Sequence, residues 1–186
     1  VDAATVSNLG VGYKKALSAS ETLTVTKSGT ERFSAISIVI PAAEWHGTTV
    51  PEITASVTGA STAPDPNSIT VSWGAEATNI FIAVHGHDTA VTDTSVTGWP
   101  TNYTDHQTQG SYCSSSGEPN LASRVANVGT EDPGPFTISA DSSWRACTIG
   151  VRGAVAGGAT LSVNLAGSGG LAGIGGLAGV GGGLAG

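Results

Sequence analysis

Charge is scarce in this sequence, and positive charge is the scarcer kind. Only 11% of the 186 residues are charged, and 7 Lys and Arg stand against 14 Asp and Glu, which leaves a net charge of −7. Attraction to a phosphate backbone depends on clustered Lys and Arg. We therefore expect no nucleic-acid partner.

Long apolar runs and methionine are missing as well. No stretch of about 18 apolar residues lacks Gly, so no membrane-spanning helix and no membrane partner are expected. Residues 1–20 lack the apolar core of a secretory signal peptide. The composition indicates a soluble, globular, β-rich protein and by itself points to no function.

Helix signals are weak, and residues 1–152 carry the alternation typical of β-strands. Alternating apolar and polar residues predict strands with one buried and one exposed face. Two runs, residues 33–40 and 80–84, are apolar on both faces and predict central strands covered on both sides. Further strands are expected at Leu23 and Val25 and at residues 53–58, 69–73, 121–128, 136–140, 144–152 and 159–165.

The number and spacing of these strands indicate the fold class. About nine short strands separated by Pro and Gly clusters predict an all-β fold, an antiparallel, jelly-roll-like β-sandwich. We assign this domain to residues 1–153. Within it, residues 88–120 carry few strand signals, and a loop of that length is usually functional or inserted.

Residues 154–186 form a chemically different tail. From residue 153 to residue 186 there is no charge, and 14 of these residues are Gly, against 13 in residues 1–152. Such a shift in composition marks a domain boundary. Gly recurs at every third position from 167 to 182, and an apolar stripe of Leu171, Ile174, Leu177 and Val180 follows it.

The triplet spacing predicts an extended, polyglycine-II-like conformation for the tail. A helix with three residues per turn places the Gly positions and the apolar stripe on separate faces. An α-helix would contain too much Gly, and a β-strand would divide the stripe between two faces. Because a three-fold extended chain makes no internal hydrogen bonds, we expect it to pack against copies of itself.

The tail is therefore predicted to be an oligomerisation element, most simply of a homotrimer. A flexible Gly-rich linker is the alternative, and the absence of Pro from residues 153–186 argues against collagen. The residues expected to carry the association are Leu171, Ile174, Leu177 and Val180 with Gly170, Gly173, Gly176 and Gly179.

Signals for catalysis and metal binding are weak. His85 and His87 are two residues apart on a predicted strand, so they share a face and would suit a cation. Asp88, Asp105 or His106 would have to complete that site, and no standard zinc spacing supports it. The Ser-rich loop contains no Gly-x-Ser-x-Gly elbow, and no paired carboxylates stand out. We predict no catalytic residues, no metal and no cofactor.

Four Trp are present, and the loop around Trp99 offers the best aromatic surface. Trp73 and Trp144 lie in strand patterns and are expected in the core. Trp99 and Tyr103, together with Tyr112, are predicted to form a glycan-contacting patch. The triplet 102–104 is a formal glycosylation sequon, which matters only in a secretory pathway.

The two Cys leave three alternatives open. Cys113 lies in the long loop and Cys147 in the predicted strand 144–152. A disulfide between them would fix the loop to the sandwich and stabilise it by about 3–4 kcal/mol. A buried free thiol at Cys147 and a bond between subunits are the other two.

Six segments between residues 59 and 152 carry a family resemblance. They are 59–74 (GASTAPDPNSITVSWG), 79–85 (NIFIAVH), 98–104 (GWPTNYT), 121–128 (LASRVANV), 130–139 (TEDPGPFTIS) and 144–152 (WRACTIGVR). This pattern of strands and turns resembles a β-sandwich module of tailed-bacteriophage virion surface proteins, of the capsid decoration, head-fibre or tail-fibre type. Leu- and Gly-rich repeats often follow such modules. The pattern covers about half of the chain and includes no catalytic signature.

The resemblance implies a non-enzymatic virion structural protein on the particle surface. Its partners would be its own copies, other capsid or tail proteins and, through the long loops, a host-surface glycan. The alternative is a carbohydrate-binding adhesin module, for phage attachment to the host or on a bacterial surface. A third reading is an enzyme domain acting on glycans, with chemistry at His85 and Asp88.

Overall fold

A computed structural model describes residues 9–18, 20–22, 24, 26, 34–76, 78–88, 94–109 and 117–154. Every regular element among these residues is a β-strand, and all the paired strands run antiparallel. The predicted all-β class is therefore confirmed. The predictions for Leu23 and Val25, for the strand at 159–165, for Tyr112 and Cys113, and for the tail from residue 155 onward lie outside the described residues.

Three ten-residue strands form the centre of the main sheet. β4 (Asn79–Asp88) lies between β10 (Ser142–Val151) and β7 (Gly117–Ala126) and is buried over nearly its whole length. β1 (Glu52–Ile53) and β2 (Val57–Ser61) pair with the far side of β10, and β6 (Thr104–Thr108) pairs with β7 at the opposite edge. The prediction of a central strand at residues 80–84 is confirmed.

Two short ladders lie against one face of this sheet. β3 (Ile69–Thr70) pairs with β8 (Thr130–Glu131), and β5 (Val96–Gly98) pairs with β9 (Thr137–Ile138). The face of the main sheet that they cover carries Phe81, Ala83, His85 and His87 of β4, and we call it the phenylalanine face. Its apolar part packs with Ile69, Val71, Tyr103, Ala122 and Phe136 in one buried cluster.

The opposite face of the main sheet is covered by an irregular segment. Ile80, Ile82 and Val84 of β4 form this isoleucine face, with Leu121, Cys147 and Val151 beside them. Ile36, Ile38, Ile40 and Trp45 pack onto it from residues 34–45. The prediction of a central strand at residues 33–40 is wrong for the described part, 34–40, which joins none of the named strands. The three Ile turn toward the sheet while Val39 is 49% exposed, so the segment buries one side only.

Residues 88–120 are also more regular than expected. They contain β5, β6 and the start of β7, rather than one long loop. The polar sequence of β6, TDHQT, is exposed at most positions because the strand lies at a sheet edge. A strand without an apolar face gives no hydrophobic alternation, so periodicity alone does not reveal it.

One glycine in β2 makes a close approach to β10. A Cβ built on Gly59 would lie 2.6 Å from Cε2 and 2.9 Å from Cη2 of Trp144, a buried ring that donates through Nε1 to the Ser61 hydroxyl at 3.1 Å. Both distances are shorter than the contacts that Cβ atoms make in known proteins, so a side chain at Gly59 must displace the Trp144 indole. The absence of a side chain at Gly59 thus allows β2 to pack across Trp144.

We expect Gly59→Ala to lower the free energy of unfolding by about 1–3 kcal/mol, the usual cost of overpacking a filled site. Urea unfolding of the full chain measures the change. Gly10→Ala is the control, because a Cβ at Gly10 meets nothing within 4 Å. Equal unfolding midpoints for the two variants would contradict the close packing.

Candidate functional site

The densest group of chemically capable side chains lies at one end of the phenylalanine face. His85 and His87 follow Phe81 and Ala83 on the same side of β4, because alternate residues of a strand share a face. Across the ladder, Asn120 is opposite His85 and Glu118 is opposite His87. His85, His87 and Asn120 are 0% exposed, and Glu118 is buried with them.

Hydrogen bonds join these side chains to the covering layer. Nε2 of His85 lies 3.2 Å from Nδ1 of His87, and Nε2 of His87 lies 3.2 Å from the backbone oxygen of Thr94. The amide nitrogen of Asn120 donates to the Glu118 carbonyl at 3.1 Å and lies 3.4 Å from Nε2 of His85 and 3.5 Å from Nδ1 of His87. The two imidazoles therefore form one connected pair.

The Thr94 carbonyl determines which nitrogens carry protons. A carbonyl only accepts, so Nε2 of His87 must be the N–H donor. In the neutral ring Nδ1 is then an acceptor, and we assign Nε2 of His85 as its donor, because this nitrogen is nearer to it, at 3.2 Å, than the Asn120 amide nitrogen, at 3.5 Å. Both rings are thus Nε2–H tautomers, and the donors run in one direction from His85 through His87 to Thr94.

Burial keeps both rings in the neutral form. It lowers the pKa of His85 to about 3, and the neighbouring His87 acts in the same direction. Burial also lowers the pKa of His87, although the Thr94 hydrogen bond and the negative charge of Asp88 oppose that shift. Burial raises the pKa of Glu118, with a hydrogen bond from Asn120 acting against it. Desolvation is the largest cause for all three groups.

Three acceptor atoms of this group lack a hydrogen-bond donor among the described residues. They are Nδ1 of His85, Oδ1 of Asn120 and Oε1 of Glu118. Buried acceptors without a donor are costly in free energy, so they distinguish this group from the rest of the interior. The described part of the chain brings together no set of three His, Cys, Asp or Glu side chains suited to a metal ion.

Two of the three additional ligands considered for a cation at His85 and His87, namely Asp105 and His106, are engaged elsewhere. Nε2 of His106 donates to the Tyr103 carbonyl at 2.9 Å, and Asp105 accepts a 2.7 Å hydrogen bond from Ser123. Both lie on β6, on the far side of β7 from β4. The structure therefore does not assemble them with the histidine pair.

Tyr103 is not a surface platform, contrary to the prediction. Its ring is 5% exposed within the buried cluster, and its hydroxyl donates to Oε1 of Glu131 at 3.2 Å. The same carboxylate oxygen accepts from Arg124 at 2.7 Å. Burial and the Glu131 charge raise the pKa of Tyr103. The phenol is held inside because Glu131 satisfies its polar end, which an aromatic motif alone does not reveal.

Trp99 is half-buried and its ring is largely occupied. The indole stacks on His106 with 4.3 Å between ring centroids and 4° between planes, and it meets the edge of Phe136 at 5.7 Å. With Tyr103 inside, Trp99 and Tyr103 do not form the expected exposed patch. Trp73 and Trp144 pack in the interior, as predicted.

The same loop instead turns polar side chains outward around an open hollow. The hollow has a volume of about 440 Å³. Two of its residues, Asn102 and Asp105, have left-handed backbones with φ of 67° and 50°, and the β6–β7 register shifts between Thr104 and Gln107. Bulges of this kind redirect side chains. The lining consists of Asn102, Thr104, Asp105, Arg124 and Val125.

Cys147 is a free, buried thiol on the isoleucine face. Burial raises its pKa to about 11, so the reactive thiolate is suppressed at neutral pH. Cys113 lies outside the described residues, so the disulfide and the bond between subunits stay predictions, while the burial of this thiol agrees with the alternative of a buried free thiol at Cys147. Strand alternation from residues 144–152 was sufficient to suggest it.

Comparisons with protein-family models, with curated proteins and with solved structures give no match. The described part of the chain contains no helix long and apolar enough to span a bilayer. The functional argument therefore depends on the geometry of the described residues and on the sequence patterns.

The neutral histidine pair makes the stability of the fold dependent on pH. When the chain unfolds, both rings regain an ordinary pKa near 6.5 and take up protons that the folded state excludes. The stability they contribute is complete above about pH 6.5 and falls as the pH drops toward the lowered pKa of about 3 for His85. His85 contributes a loss of about 1.4 kcal/mol per pH unit in that window, and His87 acts in the same direction.

We expect His85→Gln to reduce this pH dependence by about one ring's share. Urea unfolding of the full chain at pH 7 and at pH 5 gives the free energy of unfolding at each pH. The quantity compared between proteins is the difference between these two values. His46→Gln is the control, because His46 lies outside the buried group and bonds the Thr48 and Thr49 hydroxyls. An identical pH dependence in wild type and His85→Gln would contradict the neutral buried pair.

Proposed function

We propose that this chain is a non-enzymatic structural protein of a bacteriophage particle, a capsid decoration or fibre component exposed on the particle surface. The observation that carries the proposal is the burial of His85, His87 and Asn120 at 0% exposure. Side chains sealed in this way hold layers of the fold together and do not meet a substrate. The body is then a rigid unit suited to repetition on a particle.

The layered architecture supports this proposal. We interpret the main sheet and the two short ladders on its phenylalanine face as a jelly-roll-like β-sandwich. Three segments that carry the resemblance to phage modules lie on its central strands: 79–85 on β4, 121–128 largely on β7 and 144–152 largely on β10. The proposal thus assigns half of the shared segments to the central strands of the main sheet.

The attachment of the C-terminal end supports a tail that connects copies. Gly153 bridges to Trp45, and the Ala154 amide donates to the Glu44 carbonyl at 3.0 Å. The Thr78 hydroxyl donates to the Ala154 carbonyl at 2.6 Å. The chain therefore leaves the described domain from a fixed point at Ala154. We propose that the repeat joins three copies through the stripe at Leu171, Ile174, Leu177 and Val180.

We expect the full chain to sediment with three times its 18.3 kDa mass. A chain ending at Ala154 should sediment as one subunit, and full-length chain with the four stripe residues replaced by Ser should do the same.

In purified phage particles the full chain should be present in hundreds of copies if it decorates the capsid, or in a few if it belongs to a tail fibre. A monomeric full chain would contradict the role of the tail, and its absence from particles would contradict the virion assignment.

A carbohydrate-binding adhesin is the second candidate, and the hollow on the β6 side favours it. Asp105 and Asn102 present an acceptor and an amide, Arg124 adds donors, and Val125 is 45% exposed. Hydroxyl-rich saccharides are recognised by such mixed donors and acceptors beside a small apolar surface. In a virion protein this would be a contact with a host-surface glycan.

We expect binding on a glycan array to weaken by about tenfold or more in Asp105→Ala, since the lost hydrogen bonds involve a charged group. Asn102→Gly should weaken binding less and keep the left-handed turn. Thr101→Ala, exposed in the same turn but outside the lining, is the control. Equal binding by all three variants, or no binding by the wild type, would contradict the adhesin.

A further inference from the structure

We propose that the His85–His87 pair is a proton-sensitive latch that holds the β5–β9 sheet on the main sheet, and that uptake of a proton by both rings releases that sheet in mild acid. This regulatory device is independent of the proposed virion function, because it depends only on the interior of the described domain.

The pair contacts the start of both strands of the covering sheet. The Thr94 carbonyl, which accepts from His87, lies two residues before β5, and Phe136 lies directly before β9. The Phe136 ring meets the His85 ring with 4.3 Å between centroids at an angle of 59°. β5 and β9 are themselves joined, and Ser139 donates to the Ser95 carbonyl at 2.9 Å. A change in the pair therefore reaches both strands together.

Two protons are needed to break the hydrogen bond between His85 and His87. In the neutral pair the only bare ring nitrogen is Nδ1 of His85, so a first proton there leaves both inter-residue hydrogen bonds intact. A second proton must occupy Nδ1 of His87, which then faces the N–H of His85. Two donors 3.2 Å apart on two cations repel, so the second proton breaks the pair.

The surroundings of the pair determine how it responds to acid. Glu118 of β7 is the acidic group opposite His87, and Asp88 follows His87 on β4. β10 places Ala146 opposite His85 and Trp144 opposite His87, and neither titrates. The covering layer contributes Thr94 and Phe136, which also do not titrate. Burial opposes charge on both rings, and opening the layer relieves that burial.

Native-state hydrogen exchange of the full chain tests the latch. If opening returns two rings to an ordinary pKa near 6.5, the opening equilibrium should increase about 100-fold between pH 7.5 and pH 5.5, after correction for intrinsic exchange rates. Peptides spanning 94–100 and 134–140 should show this increase, while those from β4, β7 and β10 should stay protected. In the single variants His85→Gln and His87→Gln the opening equilibrium should increase only about tenfold. In the control His46→Gln it should increase about 100-fold, as in the wild type.

Three outcomes would overturn the latch. One is equal acid sensitivity of the covering sheet and the central strands, which would indicate global unfolding alone. Another is the full increase in both single variants. The third uses the wild type only: nitrogen-15 NMR at pH 7.5 should find Nε2–H tautomers for both rings, and an Nδ1–H tautomer at His87 would contradict the hydrogen-bond direction on which the latch depends.

Discussion

The structure depends on covering β4 from both sides. A strand buried on two faces must find hydrogen-bond partners for most of its polar groups within the protein, because burial removes them from water. Asn79 at one end does so by accepting from the Trp73 indole at 2.8 Å and donating to the carbonyls of Gly74 and Val128, each at 2.9 Å. At the other end the two imidazoles bond to each other and to a carbonyl of the covering layer, and Nδ1 of His85 is left without a partner among the described residues. The apolar middle of the strand is thus closed at each end by a polar group with a structural role.

The central strands were predictable because their sequences permit few other interpretations. The run at 80–84 is apolar on both faces, and the alternation at 144–152 placed Cys147 in the interior. The segment at 34–40 packs onto the face of a sheet but does not pair with its strands. Both arrangements require buried apolar residues, so the sequence pattern does not distinguish them. β6 was missed because an edge strand needs no apolar face. The histidine pair is predictable as two residues on one face, but its burial also depends on Phe136, which lies far away in the sequence, and on the position of Thr94, seven residues after His87, in the covering layer.

The loop around Trp99 shows how a motif can be identified correctly and oriented wrongly. An aromatic cluster between turn residues suits either a binding surface or a core. Tyr103 lies in the core because Glu131 accepts a hydrogen bond from its hydroxyl there. Arg124 pairs with the Glu131 carboxylate and balances its charge. The polar residues between the aromatics then point outward and line the hollow. The polar groups exposed at this edge therefore include those of Asn102 and Asp105.

The way the chain leaves the domain has a mechanical consequence. β10 continues through Arg152 directly to Gly153 and Ala154, where the contacts with Trp45 and Thr78 fasten it. A force applied beyond residue 154 would first strain this fastening and then act along the axis of β10. That strand is bonded to β4 on one side and to β1 and β2 on the other, so the load would be resisted in shear by many backbone hydrogen bonds at once. The domain is therefore built to withstand tension from its C-terminal end.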